Sequence, residues 1–285
     1  MNALNKKIDF AAIICVNNAN PNGDPLNVNR PRYNYDGYGE ISDVAIKRKI
    51  RNRLMDEGYE IFVQSDDNKL DNYPSLRKRA EGEISKENWM DKDMFCEAVC
   101  KKWIDVRSFG QVFAYAAETK GQGVSVGIRG PVSIHSAFSV NPILDRITSI
   151  QITKSVSGEG EGDKKASDTM GMKHRVDHGV YVFYGSMNPQ LATKTGFSIE
   201  DASAIKSTLI TLFRNDSSSA RPEGSMEVYK VYWWEHNNPN GQFSSAKVHR
   251  LLVVKSKSEN PDNIDDYEIA LGELPGLVCE VIEGE

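Results

Sequence analysis

Residues 8–25, IDFAAIICVNNANPNGDP, join an apolar run to a loop of turn-forming residues. The first nine residues carry apolar or β-branched side chains on both faces, which predicts a buried central strand. The Asn-Pro, Asn-Gly and Asp-Pro pairs that follow favour tight turns and predict a loop over residues 20–25. Ser42 then supplies an N-cap, and Asp43 a first-turn acid, for a helix. Strand, loop and helix in this order make the first unit of the fold.

The helix that begins at residue 43 is rich in positive charge. Ile46, Ile50 and Leu54 share one face of this helix and are expected to pack on the sheet. Charge runs are commonly solvated surface, but unpaired cations repel one another unless an anion is bound. The pattern therefore favours phosphate binding. Residues 47–53 hold five cations and no Asp or Glu: Lys47, Arg48, Lys49, Arg51 and Arg53.

Bulk composition is that of an ordinary globular chain. The 285 residues, 39% hydrophobic and 26% charged, are enough to bury a core. No run approaches the roughly 18 apolar residues of a membrane helix, and the first residues do not read as a secretory signal. The four cysteines have no nearby partners to complete a zinc site, so we expect them to be reduced. We predict a cytoplasmic protein with no cofactor.

Charge is unevenly distributed along the chain. The formal net charge of −5, from 35 basic and 40 acidic residues, counts against a free-standing nucleic-acid binder. The segment from Glu259 onward, however, holds at least seven acids and no Lys or Arg. A basic groove with an acidic back suits head-to-tail stacking of identical subunits around one polyanion.

Periodicity and capping signals predict the remaining elements. An insertion without sustained periodicity is expected over residues 65–92, and an amphipathic helix over residues 94–103. Ser198 and Asp201 form a capping-box pattern for a helix that runs through Phe213, with Ile199 on its buried face. The predicted strands cover residues 59–64, 132–140, 147–156, 179–187, 226–235, 247–256 and 267–271.

The order of these elements predicts the fold class. Strand–helix–strand, an interrupted middle, then strand–helix–strands is typical of an α+β fold with a ferredoxin-like or RRM-like core, a modified βαββαβ arrangement. No linker divides the chain, so we expect residues 1–285 to form a single domain with insertions.

Residues 150–175 combine glycines with positive charge. Gly158, Gly160 and Gly162 precede several cations and the apolar Met170 and Met172, without the spacing of a nucleotide-binding phosphate loop. Such a segment suits a mobile hairpin that folds over a nucleic-acid strand. The alternative is a surface loop with no special role.

The order of these motifs resembles one family closely, the CRISPR-associated backbone subunit of type I Cascade complexes, in particular its type I-C branch. The resemblance implies a non-catalytic protein that polymerises along a guide RNA (crRNA). It also implies finger-like insertions and, in residues 150–175, a β-hairpin thumb that crosses the RNA. The matching segments are residues 20–25, 42–52, 105–110, 129–132, 169–174 and 179–182.

Two alternatives of other classes stay open. Asp24 stands where the related type III backbone subunits use an aspartate to cut RNA, so a metal-dependent endoribonuclease is the first. Such an enzyme normally needs several convergent carboxylates, and Asp36 and Asp43 are the nearby aspartates. The second alternative is an assembly protein that binds no RNA itself.

The partners expected are crRNA, target DNA through the crRNA, further copies of the chain in a head-to-tail filament, and other Cascade subunits, with no membrane. The aromatic signature of a typical RNA-recognition motif is absent, so contacts to the RNA backbone are favoured over base reading. No catalytic or metal-binding residue is predicted. The predicted RNA-binding residues are Asn20, Asn22, Lys47, Arg48, Arg51, Arg107, Arg129, Met170, Lys173, His174 and Arg175.

Overall fold

The computed structural model describes residues 2–115, 124–154 and 169–285. The strands are β1 (Ile8–Ala19), β2 (Gly23–Asp24), β3 (Arg30–Pro31), β4 (Tyr38–Ile41), β5 (Gly110–Tyr115), β6 (Val124–Arg129), β7 (Val132–Ile134), β8 (Ala137–Pro142), β9 (Ile147–Lys154), β10 (Thr169–Met187), β11 (Met226–Glu235), β12 (Leu252–Ser256), β13 (Tyr267–Leu271) and β14 (Cys279–Glu283). The helices are α1 (Asp43–Asp56), α2 (Leu76–Glu83), α3 (Lys92–Lys102), α4 (Ile104–Phe109), α5 (Pro189–Thr195), α6 (Ile199–Ile210) and α7 (Ser245–His249).

The principal sheet in the described ranges has eight antiparallel strands, with β1 near its centre. The strand order is β14-β11-β1-β10-β8-β4, and β7 and β9 also pair with β10. β1 pairs with β10 on one side, Ile14 opposite Tyr181, and with β11 on the other. Every residue from Ile8 to Val16 is buried, which confirms the predicted central strand. The α+β prediction is confirmed as a mixed α/β fold with a large antiparallel sheet.

Apolar layers cover both faces of the sheet. On one face, Phe10 and Ile14 of β1 join the core that contains Ile46, Ile50 and Leu54 of α1, together with residues of α6. On the other face, Ala11, Ile13 and Cys15 pack with side chains of α7, β12 and β13. Because both faces are covered, β1 needs apolar side chains at successive positions instead of an alternating pattern.

Asp9 is the one charged residue in the buried run of β1, and one oxygen of its carboxylate, Oδ2, has partners. His236 Nε2 lies 2.8 Å from Asp9 Oδ2, and Lys7 Nζ lies 3.3 Å from it. His236 Nδ1 accepts the amide N–H of Gln242 at 2.9 Å, so Nε2 carries the ring proton and donates it to Asp9. The buried charge therefore ties the loop after β11 to the centre of the sheet.

The predicted strand over residues 59–64 is wrong. This segment is irregular, and its buried amides are bound by a side chain instead of a neighbouring strand. Asp105 of α4 accepts the N–H of Phe62 at 2.8 Å and that of Val63 at 3.0 Å. It also accepts a hydrogen bond from Arg51 Nε at 2.9 Å, and the carboxylate is fully buried. A run of apolar, β-forming residues does not show whether its backbone N–H groups are bound by a neighbouring strand or by a side chain.

A third apolar cluster lies beneath the predicted insertion over residues 65–92. Phe62, Phe95, Val99 and Phe113 pack together there with Ala80 of α2. The amphipathic helix predicted for residues 94–103 is confirmed as α3. Arg79 of α2 binds the carbonyl of Phe62 at 2.7 Å and forms two bonds with Asp71.

Other boundaries differ from the predictions for local reasons. Residues 132–140 were predicted as one strand but form two, β7 and β8, because His135 and Ser136 interrupt the pairing. The buried residues are even-numbered in β7 and odd-numbered in β8. The capping box of Ser198 and Asp201 is confirmed, but the helix ends at Ile210. Ile199 is 40% exposed because it occupies the first helical position, before the helix meets the core.

The elements late in the chain agree only in part with the predictions. The strands predicted at 226–235 and 267–271 are confirmed as β11 and β13. The strand predicted at 247–256 is replaced in its first half by α7, and β14 was not predicted. The four cysteines are free thiols, as expected. Within the described residues no helix is long and apolar enough to cross a membrane.

Replacement of Asp105 by Ala is expected to lower the free energy of unfolding by about 3–5 kcal/mol, because Arg51 and two buried amides lose their partner. Urea denaturation measures this change. Asp145→Ala, at an exposed position, is the control and is expected to change stability by less than about 0.5 kcal/mol. Equal effects of the two substitutions would contradict a central role for Asp105.

Candidate nucleic-acid interface

Four of the five cations of α1 are paired with acids, so the premise that they lack counter-ions is wrong. The acids that bind them lie partly in the first and last turns of the helix and partly far along the chain. Lys49, Arg51 and Arg53 are buried, whereas Lys47 and Arg48 are partly exposed. Burial lowers the pKa of Lys49 to about 8, against the opposing effect of Asp216. The pairs are Lys47 with Asp43, Lys49 with Asp216, Arg51 with Asp105 and Arg53 with Asp56.

Arg48 is engaged by backbone instead of by an acid. Its Nη1 donates to the carbonyl oxygen of Val63 at 2.6 Å. Burial, and after it the charge of Arg51, lowers the pKa of Arg48 from its ordinary value. Arg48 and Arg51 therefore both hold the segment around residue 63 against α1, and only Lys47 and part of Arg48 remain accessible to a ligand.

Arg107 of α4 also has an internal partner. Its guanidinium makes two bonds to the carboxylate of Asp201, at 2.9 and 2.7 Å, and donates to the carbonyl of Cys100. Asp201 in turn accepts the N–H of Ser198 in the capping box of α6. The Arg107 side chain is only 12% exposed. This bidentate pair joins α4 to the start of α6.

The two asparagines predicted in the loop position its backbone. Asn20 is buried, and its Nδ2 donates to the carbonyl of Asn29 at 2.7 Å. Asn22 Oδ1 accepts the N–H of Ser42 at 2.9 Å, which connects the loop to the start of α1. A Cβ on Gly23 would lie 2.1 Å from Asn29 Oδ1, so a larger residue here would require the Asn29 side chain to move. The loop is therefore a built structure, with β2 paired to β3.

Asp24 has local partners. Its Oδ1 accepts the N–H of Leu26 at 3.2 Å, and the guanidinium of Arg32 lies 3.5 Å from the same atom. Across residues 2–115, 124–154 and 169–285, no group of three or more His, Cys, Asp or Glu side chains is arranged to hold a metal ion. The carboxylate thus acts as a cap for the short turn after β2.

The predicted thumb coincides in part with β9 and β10. These strands pair from Ile147 with Val176 to Lys154 with Thr169, whereas the pairing of β1 with β10 ends at Ala19 with Val176. The hairpin arms therefore continue past the end of β1. The part of the predicted thumb at residues 155–168 lies outside the described residues.

The described arms carry accessible apolar and cationic groups. Met170 is 74% exposed and Met172 is 46% exposed. Lys173 is partly exposed, and Arg175 lies 3.2 Å from Asp177 with about two-fifths of its side chain accessible. A surface with both cationic and apolar side chains can contact the phosphates and the faces of the bases in a nucleic-acid strand.

His174 lies in β10 between these cations, but its side chain is buried. It is 7% exposed, and its Nδ1 lies 2.7 Å from Ser149 Oγ on β9. Desolvation, and after it the charge of Arg30, lowers the pKa of His174 from its ordinary value. The predicted residue Arg129, at the end of β6, is exposed.

Arg30 is a residue that the sequence reasoning missed. It belongs to β3, which contacts β10, and its influence on His174 places its charge near the base of the hairpin. The signal in the sequence was weak, since Arg30 lies eight residues after Asn22 with only Arg32 as a basic neighbour. A clue to this small hairpin was the Asn22-Gly23 pair, which favours a turn, followed by the basic residue Arg30.

These features define an α/β protein that uses its helix cations internally and leaves cationic and apolar side chains accessible on a loop and a hairpin. Residues 6–272 match the family described as CRISPR-associated protein Cas7. The chain therefore belongs to the CRISPR-associated Cas7 family. The family-level part of the resemblance is confirmed.

Individual relatives and solved structures are similar to this chain to different degrees. A Haloferax volcanii protein named CRISPR-associated protein Cas7 is 26% identical over 288 residues, which cover 96% of this chain and 83% of the relative. A chain from a solved CRISPR RNA-guided surveillance complex, pre-nicking, is 16% identical with a TM-score of 0.45, covering 80% of this chain and 78% of its own. A second, from a CRISPR RNA-guided surveillance complex, is 15% identical with a TM-score of 0.42, covering 80% and 68%.

Replacement of Lys173 and Arg175 together by Gln is expected to weaken RNA binding with little change in stability, because both side chains are partly exposed. The slope of log affinity against log salt should flatten by about 0.7 for each phosphate that the variant no longer neutralises. Fluorescence anisotropy with a labelled oligoribonucleotide at several salt concentrations measures both effects.

The matched control also removes two cations, but in the layer formed by α7, β12 and β13. Arg250→Gln with Lys255→Gln, both at exposed positions, should leave the salt slope unchanged. If the control and the hairpin variant weaken binding equally, the effect is one of net charge, and the hairpin is not the contact surface.

Proposed function

We propose that this chain is a non-catalytic, crRNA-binding backbone subunit of a type I-C CRISPR surveillance complex. Several copies would stack head to tail along the spacer of the crRNA and present its bases for pairing with target DNA, together with other Cascade subunits. The observation that carries the proposal is the hairpin of β9 and β10, which continues past the end of β1 and bears Met170, Met172, Lys173 and Arg175. We further propose a cytoplasmic location.

The mode of RNA binding follows from the kind of side chains that are accessible. Cations and methionines offer contacts to phosphates and to stacked surfaces, without the paired donors and acceptors that read a base edge. Sequence specificity would therefore come from base pairing by the guide, while the protein holds the backbone. Lys47, Arg129, Lys173 and Arg175 are the proposed phosphate contacts. Asn20, Asn22, Arg48, Arg51 and Arg107 would contribute by positioning the elements that carry them.

We also infer a ferredoxin-like core within residues 1–285, a single domain with insertions. Its elements in chain order would be β1, α1, β8, β10, α6 and β11. The strand order β11-β1-β10-β8 and the packing of α1 and α6 in one core support this inference. The hairpin of β9 and β10, with the segment over residues 65–92, would then be additions to that core.

The competing endoribonuclease would need Asp24 to hold a metal ion. Its carboxylate already accepts the amide of Leu26 and lies near Arg32, whose positive charge opposes a second cation at the same place. These contacts favour a binding role over a catalytic one.

Purified protein incubated with labelled RNA is expected to retain the RNA intact in Mg²⁺ or Mn²⁺, because no metal-assisted step is available at Asp24. Gel shift and denaturing gels measure retention and cleavage together, with Asp24→Ala and the nearby Asp36→Ala as paired variants. Cleavage that disappears only in Asp24→Ala would establish the nuclease. If the RNA is neither retained nor cleaved, the remaining alternative is an assembly protein that binds no RNA.

The size of the assembly should depend on RNA length if copies stack along the strand. Light scattering with RNAs of increasing length is expected to give masses that rise in steps of one 31.8 kDa protomer. A mass that stays constant as the RNA is lengthened would contradict the filament, even if the protein binds RNA.

A further inference from the structure

Buried polar atoms without partners gather where the loop after β1 meets β10. A buried donor or acceptor without a hydrogen-bond partner is unfavourable, so a group of them needs an explanation. Among the described residues, three of these atoms belong to this junction: Asn20 Oδ1, Arg30 Nε and His174 Nε2.

One hydrogen bond, the pairing of β1 with β10 and an electrostatic effect indicate that these three residues lie near one another. Asn20 Nδ2 donates to the carbonyl of Asn29, the residue before Arg30. The pairing of Ala19 with Val176 brings the start of the loop beside the segment of β10 that contains His174. The charge of Arg30 lies close enough to His174 to oppose its protonation.

The orientation of the imidazole is fixed from the β9 side. Ser149 Oγ lies 2.7 Å from His174 Nδ1, which leaves Nε2 as the nitrogen without a partner. A neutral ring with its proton on Nδ1 would donate to Ser149 and keep a lone pair on Nε2. Protonation at Nε2 would then create a new donor without disturbing the bond to Ser149.

The acidic groups around the junction are already engaged by other residues. On β10, Asp177 binds both Arg175 and Thr148 of β9, and on the β2–β3 hairpin Asp24 lies near Arg32. Lys173 adds a further positive charge from β10. Among the described residues, no carboxylate forms an ion pair with Arg30, so the junction has an excess of positive charge and suits an anion.

We propose that Arg30 and His174 together bind one backbone phosphate of the RNA, and that His174 takes up one proton from solvent at Nε2 as the complex forms. The phosphate oxygen would then accept from Arg30 Nε and from the imidazolium. The inference rests on the proposed function, since the phosphate is that of the bound RNA, and it adds Arg30 and a proton to that site.

The sign of the pH dependence follows from the charges. In the free chain, desolvation and then Arg30 lower the pKa of His174, so its ring is neutral near pH 7. A bound phosphate is negative and raises the pKa of His174 in the complex. Because the complex then binds more protons than the free protein, affinity rises as the pH falls through the pKa of the complex. The gain levels off below the pKa of the free chain.

Anisotropy titrations of the full-length protein with a mixed-sequence oligoribonucleotide, at constant ionic strength between about pH 5 and pH 8, test this proposal. Wild-type affinity should rise on acidification by at most tenfold per pH unit, the limit for one proton. His174→Gln should remove this dependence. Arg30→Gln should bind more weakly, with a salt slope flatter by about 0.7, and its pH response should move to higher pH.

Two controls separate binding from folding. His135→Gln changes an exposed histidine that packs against His249 and should keep the wild-type pH response. In the wild-type protein, NMR of ¹³C-labelled histidine should show a higher pKa for His174 with a short RNA bound than without it, which needs no variant to fold.

The outcomes are distinguishable from those that test the proposed function. If wild-type protein binds no RNA at any pH, the proposed function fails and this inference fails with it. If it binds RNA but His174→Gln keeps the full pH response, or Arg30→Gln binds like the wild type, only this inference is overturned.

Discussion

The buried carboxylate of Asp105 is the contact on which the arrangement of the helices depends. It binds Arg51 of α1 and the amides of Phe62 and Val63 at the same time, so α1, α4 and the segment before the 65–92 insertion meet at one side chain. Two residues further along α4, Arg107 continues the connection to the start of α6. Each helix on this side of the sheet is thus oriented by charge-assisted bonds as well as by apolar packing.

This arrangement changes what the positive charge of α1 means. Buried ion pairs cost desolvation, and they are tolerated here because each cation has a partner. Lys49, Arg51 and Arg53 therefore contribute to the fold, and they add little to the field outside the molecule. We infer that RNA binding by a chain with a net charge of −5 depends on a local group of accessible cations on the loop, β6 and the hairpin, and not on the overall charge.

Local signals in the sequence predicted the elements whose causes are themselves local. The apolar run of β1, the Ile46, Ile50 and Leu54 stripe and the capping box at Ser198 all depend on residues within a few positions of one another. The pairing of Arg51 and Lys49 could not be predicted, since Asp105 lies 54 residues from Arg51 and Asp216 lies 167 residues from Lys49. A count of acids inside residues 47–53 is therefore no guide to whether the helix is neutralised.

The same limit explains why Arg30 was missed while its neighbours in space were found. Lys173 and Arg175 stand in a run of glycines and cations, whereas Arg30 becomes significant only when β3 folds against β10. We infer that stability and ligand binding depend mainly on different cations, the buried ones of α1 and partly exposed ones such as Arg30 and Lys173. An arginine near a buried imidazole, with no ion pair to a carboxylate among the described residues, is unfavourable in the free chain. The proposed phosphate would relieve that repulsion, which distinguishes the proposed site from the paired helix that first suggested RNA binding.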